Sequence, residues 1–222
     1  MRVAAYYAPL PDDPLWAAAA SWLGRDPERG APVPQPPIAG LAELTSDPAL
    51  YGFHATLKPP MRLQTSYAAF LAEAAALAVR LRPFALPPLA VQDLRGFLAL
   101  REALPSPALQ ALADACVEGL DRHRAPADPA ELARRRRHGL SADQDAMLSR
   151  WGYPHVFGTW FFHMTLTRRL QVAEIERVRP LAEAHFAPAL ASARQVAHLT
   201  IFTQAAPGAP FLVAERLPLG GA

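Results

Sequence analysis

The sequence predicts a protein of mixed helices and strands that is built from two similar halves. The first observation is a repeated string, because Phe-His-x-Thr-Leu occurs at residues 53–57 and again at residues 162–166. The second is that each copy lies in a predicted strand, which is followed by a predicted helix and then by a pair of predicted strands. The same element order around the same motif is typical of an internal duplication.

Composition limits the class of protein. The chain has 222 residues, of which 51% are hydrophobic, so one domain over residues 1–222 can bury a good core. The single cysteine, Cys116, excludes an internal disulfide framework and indicates a reducing compartment. No run of 18 apolar residues and no signal-peptide pattern is visible. We therefore expect a cytoplasmic monomer with no membrane partner.

Strands of the first half are predicted at residues 2–7, 51–58, 89–94 and 96–100, and helices at residues 14–23, 66–82 and 106–120. Asp13 is expected to cap the first helix, with Pro14 at its first position and Gly24 at its end. Pro59 and Pro60 are expected to end the motif strand, since proline cannot donate a hydrogen bond to a neighbouring strand.

The second half has its motif strand predicted at residues 159–167, a helix at 173–186 and strands at 193–204 and 210–219. The segment of about residues 120–150 has no counterpart in the first half. Helices are predicted to begin there at Asp128 and at Ser141, which forms a capping box with Gln144. We expect this segment to be a helical insertion.

Each motif strand is predicted to have one apolar face and one polar face, since successive side chains of a strand point to opposite sides. The polar positions are His54, Thr56 and Lys58 in the first strand and His163, Thr165, Thr167 and Arg169 in the second. Such groups do not belong in an apolar core. We expect them to line a wet cleft between the two halves, with the two polar faces opposed.

Two histidines that flank one point suit phosphodiester chemistry. A neutral imidazole can take a proton from the attacking group, and a protonated imidazole can give one to the leaving oxygen. His54 and His163 are therefore the predicted catalytic pair, and the alternation does not say which is the base. The hydroxyls of Thr56 and Thr165 are expected to hold the phosphate. No metal and no cofactor is expected.

Charge around the motifs gives two further hypotheses. Lys58 and Arg169 share the polar faces by alternation and are expected to bind phosphate. The four consecutive arginines Arg134, Arg135, Arg136 and Arg137 are expected to form a solvated helix face, with the alternative that one or two fold over the cleft and bind a second phosphate.

A third His-x-Thr string, at His198 and Thr200, lacks the preceding Phe and the following Leu and is expected not to be catalytic. Net charge is only +2, which makes a nucleic acid the less favoured partner and a small phosphorylated molecule the favoured one.

The paired motif resembles the signature of the 2H phosphoesterases, the two-histidine superfamily. The longer strings YGFHATLKPP and FHMTLTRRL, with WLGRD and APVPQP near the N-terminus, resemble one branch, the phosphonate metabolism proteins encoded beside carbon–phosphorus lyase genes in bacteria. The resemblance covers nearly the whole chain. It implies an α+β fold of two pseudo-twofold lobes, with two antiparallel sheets facing a central cleft and helices outside.

The resemblance also implies a catalytic role for His54 and His163 and phosphate binding by Thr56 and Thr165. The function it favours is metal-independent hydrolysis of a small cyclic phosphodiester, a phosphorylated sugar in phosphonate breakdown. Two alternatives stay open. One is an RNA-end enzyme acting on 2′,3′-cyclic phosphate or 2′-5′ linkages, and the other is a non-catalytic module that binds a phosphorylated ligand.

Overall fold

A seven-stranded antiparallel sheet forms the centre of the structure, a computed structural model that describes residues 1–137 and 139–220. The strands are β1 Arg2–Tyr7, β2 Arg25–Asp26, β3 Ala31–Pro32, β4 Ala55–Met61, β5 Phe84–Leu86, β6 Leu89–Asp93, β7 Leu98–Glu102, β8 Met164–Thr165, β9 Arg194–Val196, β10 His198–Gln204 and β11 Leu212–Pro218. The helices are α1 Pro14–Leu23, α2 Leu41–Leu44, α3 Ser46–Tyr51, α4 Tyr67–Arg80, α5 Pro107–Leu120, α6 Pro129–Arg136, α7 Ala142–Trp151 and α8 Val172–Leu190.

The strand order of the main sheet is β11-β10-β1-β4-β8-β7-β6, and the pairs β2-β3 and β5-β9 form two small sheets. The predicted α+β class is confirmed. The motif strands β4 and β8 lie side by side in the middle of this order. The strand pair of each half lies on the side of the other half's motif strand, with β10 and β11 beyond β1 and β4, and β7 and β6 beyond β8. The division into two lobes with an insertion stays a prediction, and the segment concerned carries α6 and α7.

Helix starts follow the predicted capping residues. The Asp13 carboxylate accepts a hydrogen bond from Leu15 N, and Gly24 ends α1 with a φ of 74°, in the left-handed region that glycine tolerates. Ser141 and Gln144 form the predicted capping box at α7. Local sequence is sufficient for these boundaries because each cap bonds within three residues of itself.

The motif strands differ from their predicted bounds. β4 continues through Pro59 and Pro60 to Met61, so the predicted stop is wrong. A register shift against β1 falls at these prolines, between Lys58 and Met61. Proline is tolerated at such a bulge because no ladder hydrogen bond is needed there.

β8 is also different, since it spans two residues rather than 159–167. A short 3-10 turn at Phe157–Thr159 takes up the start of that range. The Thr159 hydroxyl donates to the carbonyls of Pro154 and Val156, which holds the chain in this turn and out of the sheet.

One face of the central sheet is covered by helices. The motif residues Ala55, Leu57, Phe162, Met164 and Leu166 are buried there in the main core, with apolar side chains of α1, α4, α5 and α8. The other face carries His54, Thr56, His163 and Thr165, which are half-buried. Within the described part of the chain, no helix combines the length and apolarity needed to cross a membrane.

Candidate active site

The two motifs meet as neighbouring antiparallel strands. Ala55 of β4 is the register partner of Met164 of β8. Antiparallel pairing therefore sets His54 beside Thr165 and Thr56 beside His163, all on the face opposite the core. The two histidines occupy diagonal positions, which lie about 7–8 Å apart on neighbouring strands. The motifs are therefore side by side in one sheet, and the expectation that they oppose each other across a cleft is wrong.

A hydrogen bond to the backbone two residues earlier fixes the orientation of the His54 ring. Its Nδ1 lies 2.8 Å from the carbonyl oxygen of Gly52, and because a carbonyl only accepts, Nδ1 carries the proton. Nε2 of the neutral ring is then free to accept, and the Thr56 hydroxyl lies 3.3 Å from it. Tyr6 stacks on the imidazole with ring centroids 3.7 Å apart.

Burial dominates the titration of His54. The pKa is lowered to about 4, mainly by burial; the bond to Gly52 opposes this shift, and the charge of the nearby His163 contributes to it. His54 is therefore neutral near neutral pH, with a lone pair on Nε2, which is the form that a general base needs.

His163 repeats this backbone contact in other surroundings. Its Nδ1 lies 3.1 Å from the carbonyl oxygen of Phe161, which again leaves Nε2 directed into the site. Burial lowers its pKa, and the charges of His155 and Arg101 lower the pKa further. The ring of Phe161 lies 4.8 Å from the imidazole centroid.

Two cavities adjoin the four motif side chains. The larger, of about 620 Å³, is lined by Thr56 and His163. The smaller, of about 270 Å³, is lined by His54 and Thr165. Phe97 and Arg169 line both. Each cavity therefore contains one histidine and the threonine of the other motif, as the strand register requires.

Lys58 is not part of this arrangement, and the alternation that placed it there is wrong. Ala5 of β1 is opposite Lys58 while Tyr6 is opposite Thr56, so Leu57 is an extra residue in β4. Such a bulge turns the next side chain to the same face as its predecessor.

The Lys58 side chain is only 1% exposed and points into the core side. Its Nζ donates to the carbonyl oxygen of Val117, at 3.0 Å, and to the carboxylate of Asp121, at 2.6 Å. Lys58 therefore joins β4 to α5 and does not face the histidines.

Arg169 and Thr167, which follow β8, lie in different environments. Arg169 is exposed, lines both cavities and donates through Nη1 to the carbonyl oxygen of Arg95. Thr167 is buried, and its hydroxyl accepts from Leu98 N, which ties the chain after β8 to β7. Of the two predicted cationic residues, the structure thus brings Arg169 to the histidines.

Sequence reasoning missed two residues of the larger cavity, Arg101 and His155. Arg101 follows Phe97 and Ala99 at intervals of two residues, the spacing of one face of a strand. If the predicted strand had been extended by one residue, this spacing would have placed Arg101 on the same face as Phe97. His155 carries no such signal, because it reaches the cavity through the packing of the segment after α7.

The run of four arginines divides into different environments. Arg135 lies over the Tyr153 ring, 5.0 Å from its centroid, and donates to Glu131. Arg136 pairs with Asp145, and Arg134 and Arg137 are exposed. Arg135 is therefore the member nearest the larger cavity, because Tyr153 lines it.

The third His-x-Thr string lies elsewhere. His198 lines a separate cavity with Asp13 and Arg194. Thr200 is buried opposite Tyr6. Within residues 1–137 and 139–220, no group of three or more His, Cys, Asp or Glu side chains is arranged to hold a metal ion.

Comparison with solved structures gives distant likenesses. The structure of E. coli LigT complexed with 3′-AMP is 15% identical, with a TM-score of 0.46 over 98% of this chain and 97% of that one. A structure described as a phosphoesterase is 15% identical, with a TM-score of 0.45 over 98% of both chains.

Two curated relatives carry the name ribose 1,5-bisphosphate phosphokinase PhnN. The protein from Janthinobacterium sp. (strain Marseille) is 42% identical over 99% of this chain and 51% of its own length. The protein from Laribacter hongkongensis (strain HLHK9) is 39% identical over 95% of this chain and 50% of its own length. The chain thus spans about half the length of these relatives.

One family model matches residues 56–212, which include Thr56 and the whole second motif. This range covers well over half of the chain. The chain therefore belongs to the family described as protein of unknown function (DUF1045).

Proposed function

We propose that this chain is a phosphodiesterase of the 2H type that hydrolyses a small cyclic phosphodiester without a metal. The observation that carries the proposal is the pairing of Ala55 with Met164, which sets two His-x-Thr pairs on one face of the sheet. A phosphate centred over this pair of residues has an imidazole on either side and two hydroxyls to hold its oxygens.

The different surroundings of the histidines support different roles. His54 faces the smaller cavity, which suits a water molecule, and His163 faces the larger one, which suits the organic body of the substrate. In an in-line displacement the attacking water and the leaving oxygen lie on opposite sides of phosphorus. His54 is then the general base and His163 the general acid.

The two imidazoles account for both proton transfers of the hydrolytic step. Nε2 of His54 takes a proton from water as the water oxygen bonds to phosphorus. The bond from phosphorus to the ring oxygen breaks, and Nε2 of His163 gives that oxygen a proton, so that a phosphomonoester and a free hydroxyl result. Arg169 and the hydroxyls of Thr56 and Thr165 stabilise the negative charge on the phosphoryl oxygens.

Substrate binding supplies the protonated histidine. Burial keeps the pKa of both imidazoles below its ordinary value in the empty site. A phosphodiester anion favours the charged form of a nearby imidazole and therefore raises its pKa. His163 also lies among cationic neighbours, so its protonation depends on the anion being in place.

The substrate class is proposed from size and from the relatives. The larger cavity, of about 620 Å³, suits a compact sugar phosphate. The relatives named ribose 1,5-bisphosphate phosphokinase support a phosphorylated ribose, within phosphonate breakdown. A phosphate-binding loop of the kinase type, with glycine before a Lys-Ser or Lys-Thr pair, is absent from this sequence, whose one lysine, Lys58, stands between Leu and Pro.

The test is hydrolysis of ribose cyclic phosphates by the purified chain, followed by phosphorus NMR. We expect a phosphomonoester product, activity that survives prolonged chelation, and a shallow dependence on salt. Absence of turnover with retained binding would indicate a binding module. A strong preference for an oligonucleotide ending in 2′,3′-cyclic phosphate, lost at higher salt, would indicate an RNA-end enzyme.

A further inference from the structure

The larger cavity contains far more space than the reacting phosphate needs. A water molecule takes about 30 Å³ of liquid volume, and a phosphate group only a few times that. The cavity of about 620 Å³ extends from His163 towards the turn between β6 and β7 and towards the segment that follows α7. The body of the substrate has to occupy this space.

The lining of that cavity is cationic. Arg95, Arg101, Arg169 and His155 line it together with His163, and none of its lining residues is a carboxylate. Charge of one sign around a partly enclosed space attracts the opposite charge and concentrates it there. The reacting phosphate uses Arg169, which leaves the other cationic groups without an assigned ligand.

Arg101 is fixed beside the catalytic pair by the sheet. Ala99 is the partner of Thr165 and Leu100 is the partner of Met164, so the next residue of β7, Arg101, lies beside His163. Its guanidinium lies over the Phe161 ring, 5.2 Å from the centroid, which orients the side chain along the cavity wall.

The two Nη groups of Arg101 are available, whereas its Nε faces the carboxylate of Glu102. Among the described residues, no hydrogen bond from its guanidinium to another protein group is present. The carboxylate of Glu102 lies 3.6 Å from Nε, which is an ion-pair distance but too long for a hydrogen bond. An arginine with free donors on a cavity wall is suited to bidentate binding of a phosphate.

The segment after α7 forms another part of the cavity wall. His155 is half-buried there, and Tyr153 lies beside it with their rings 5.6 Å apart. Arg135 stacks on Tyr153, and its Nε is a buried donor without a partner in the described residues. This part of the wall therefore also offers hydrogen-bond donors, and no carboxylate lines the cavity.

We propose that Arg101 and His155 form a subsite for a second phosphate of the substrate, on the His163 side of the reacting phosphate. The subsite rests on the proposed function for its role in catalysis. It restricts the substrate to a cyclic phosphodiester with a further phosphate on the part of the molecule that carries the leaving oxygen. It also fixes the orientation of that substrate, because the second phosphate can lie only in the larger cavity.

The kinetic test compares two ribose cyclic phosphates that differ only in a phosphate on the 5-hydroxyl. Arg101→Ala should lower kcat/KM for the bisphosphorylated compound by about 10- to 100-fold, the usual loss for a charge-assisted hydrogen bond. The loss for the other compound should be much smaller, because there Arg101 acts only through the pKa of His163, which its charge lowers. Equal losses on both compounds, or no loss on either, would overturn the subsite.

The matched control is Arg29→Ala, since the Arg29 side chain is 83% exposed and does not line the cavity. It removes the same charge and should change neither value, so that a general effect of net charge is excluded. If it lowers kcat/KM for the bisphosphorylated compound as far as Arg101→Ala does, the effect is not a local one and the subsite is wrong.

A binding measurement keeps the subsite testable if no cyclic phosphate is turned over. Calorimetry with fructose 1,6-bisphosphate and fructose 6-phosphate should show tighter binding of the bisphosphate by the wild type. Arg101→Ala should remove that difference, and Arg29→Ala should keep it. Equal affinity of the wild type for both sugars would overturn the subsite, whatever the outcome for hydrolysis.

Discussion

The two motif regions share a local structure and differ in what surrounds it. In both, a histidine directs Nδ1 to the carbonyl two residues earlier and leaves Nε2 free. His54 lies under Tyr6 beside a small cavity, whereas His163 lies beside Arg101 at a large cationic one. Under the proposed function, the repeated residues supply the reactive groups, while the residues that are not repeated decide which group faces water and which faces the substrate.

The strongest test of this comparison removes each imidazole in turn. His54→Ala and His163→Ala should each lower kcat by about 10²–10⁴-fold, the usual loss when a proton-transfer group is removed. Both variants should remain folded, because the two side chains are half-buried on the face opposite the main core. The measurement is turnover of a ribose cyclic phosphate, with thermal melting as the check on folding.

The control for the histidine pair is His198→Ala, which changes a His-x-Thr string away from the site. It should have nearly wild-type turnover. Wild-type activity in either motif variant, or a large loss in the control, would show that the wrong pair has been assigned.

A second test concerns Lys58, which strand alternation placed at the phosphate and which the bulge turns away from it. Lys58→Met leaves the Val117 carbonyl without its donor, while Asp121 keeps its two bonds to Arg124. We expect a loss of about 1–3 kcal/mol in the free energy of unfolding, with kcat/KM of the folded protein near the wild-type value. Urea unfolding and steady-state kinetics measure the two quantities, and a loss of activity as large as that of His54→Ala would return Lys58 to the phosphate site.

A third test uses the pKa of His54. The folded protein keeps this imidazole neutral down to about pH 4, whereas the unfolded chain protonates it near pH 6.5. The unfolded state therefore binds more protons between these values, and stability falls as the pH drops through that window, by on the order of 1–3 kcal/mol. His54→Gln should show a smaller fall in urea unfolding than the wild type, and an equal fall would contradict the buried neutral ring.

The smallest expected effect concerns the stacked ring on His54. The Tyr6 hydroxyl is buried without a hydrogen-bond partner in the described residues. Tyr6→Phe keeps the ring and removes that hydroxyl, so stability should stay the same or rise by up to about 1 kcal/mol. Turnover should not change. A clear loss of stability, measured by thermal melting, would mean that the hydroxyl has a partner and that its role is more than stacking.

Sequence alone predicted the elements whose signals are local. The caps at Asp13 and Ser141, the strand pair β6 and β7, and the polar and apolar sides around Ala55 and Met164 all depend on neighbours within a few residues. The repeated motif also predicted that four residues lie at one site, and the structure sets them side by side. These residues are His54, Thr56, His163 and Thr165.

The remaining features depend on contacts between distant segments. A bulge against β1 turned Lys58 into the core, which alternation within β4 does not reveal. The pairing of β7 with β8 brought Arg101 to His163, and the fold of residues 153–161 brought His155 there. Register between strands is set by tertiary packing, so a single sequence left these residues unassigned.

The division of roles between the histidines is tested most directly by the leaving group. A cyclic ribose phosphate has a poor leaving oxygen that needs a proton, whereas a p-nitrophenyl phosphodiester has a good one that does not. With the p-nitrophenyl substrate, His163→Ala should recover most of the wild-type rate, while His54→Ala should stay impaired because water still needs a base. Equal impairment of both variants on this substrate, or recovery of His54→Ala instead, would contradict the assignment of His54 as base and His163 as acid.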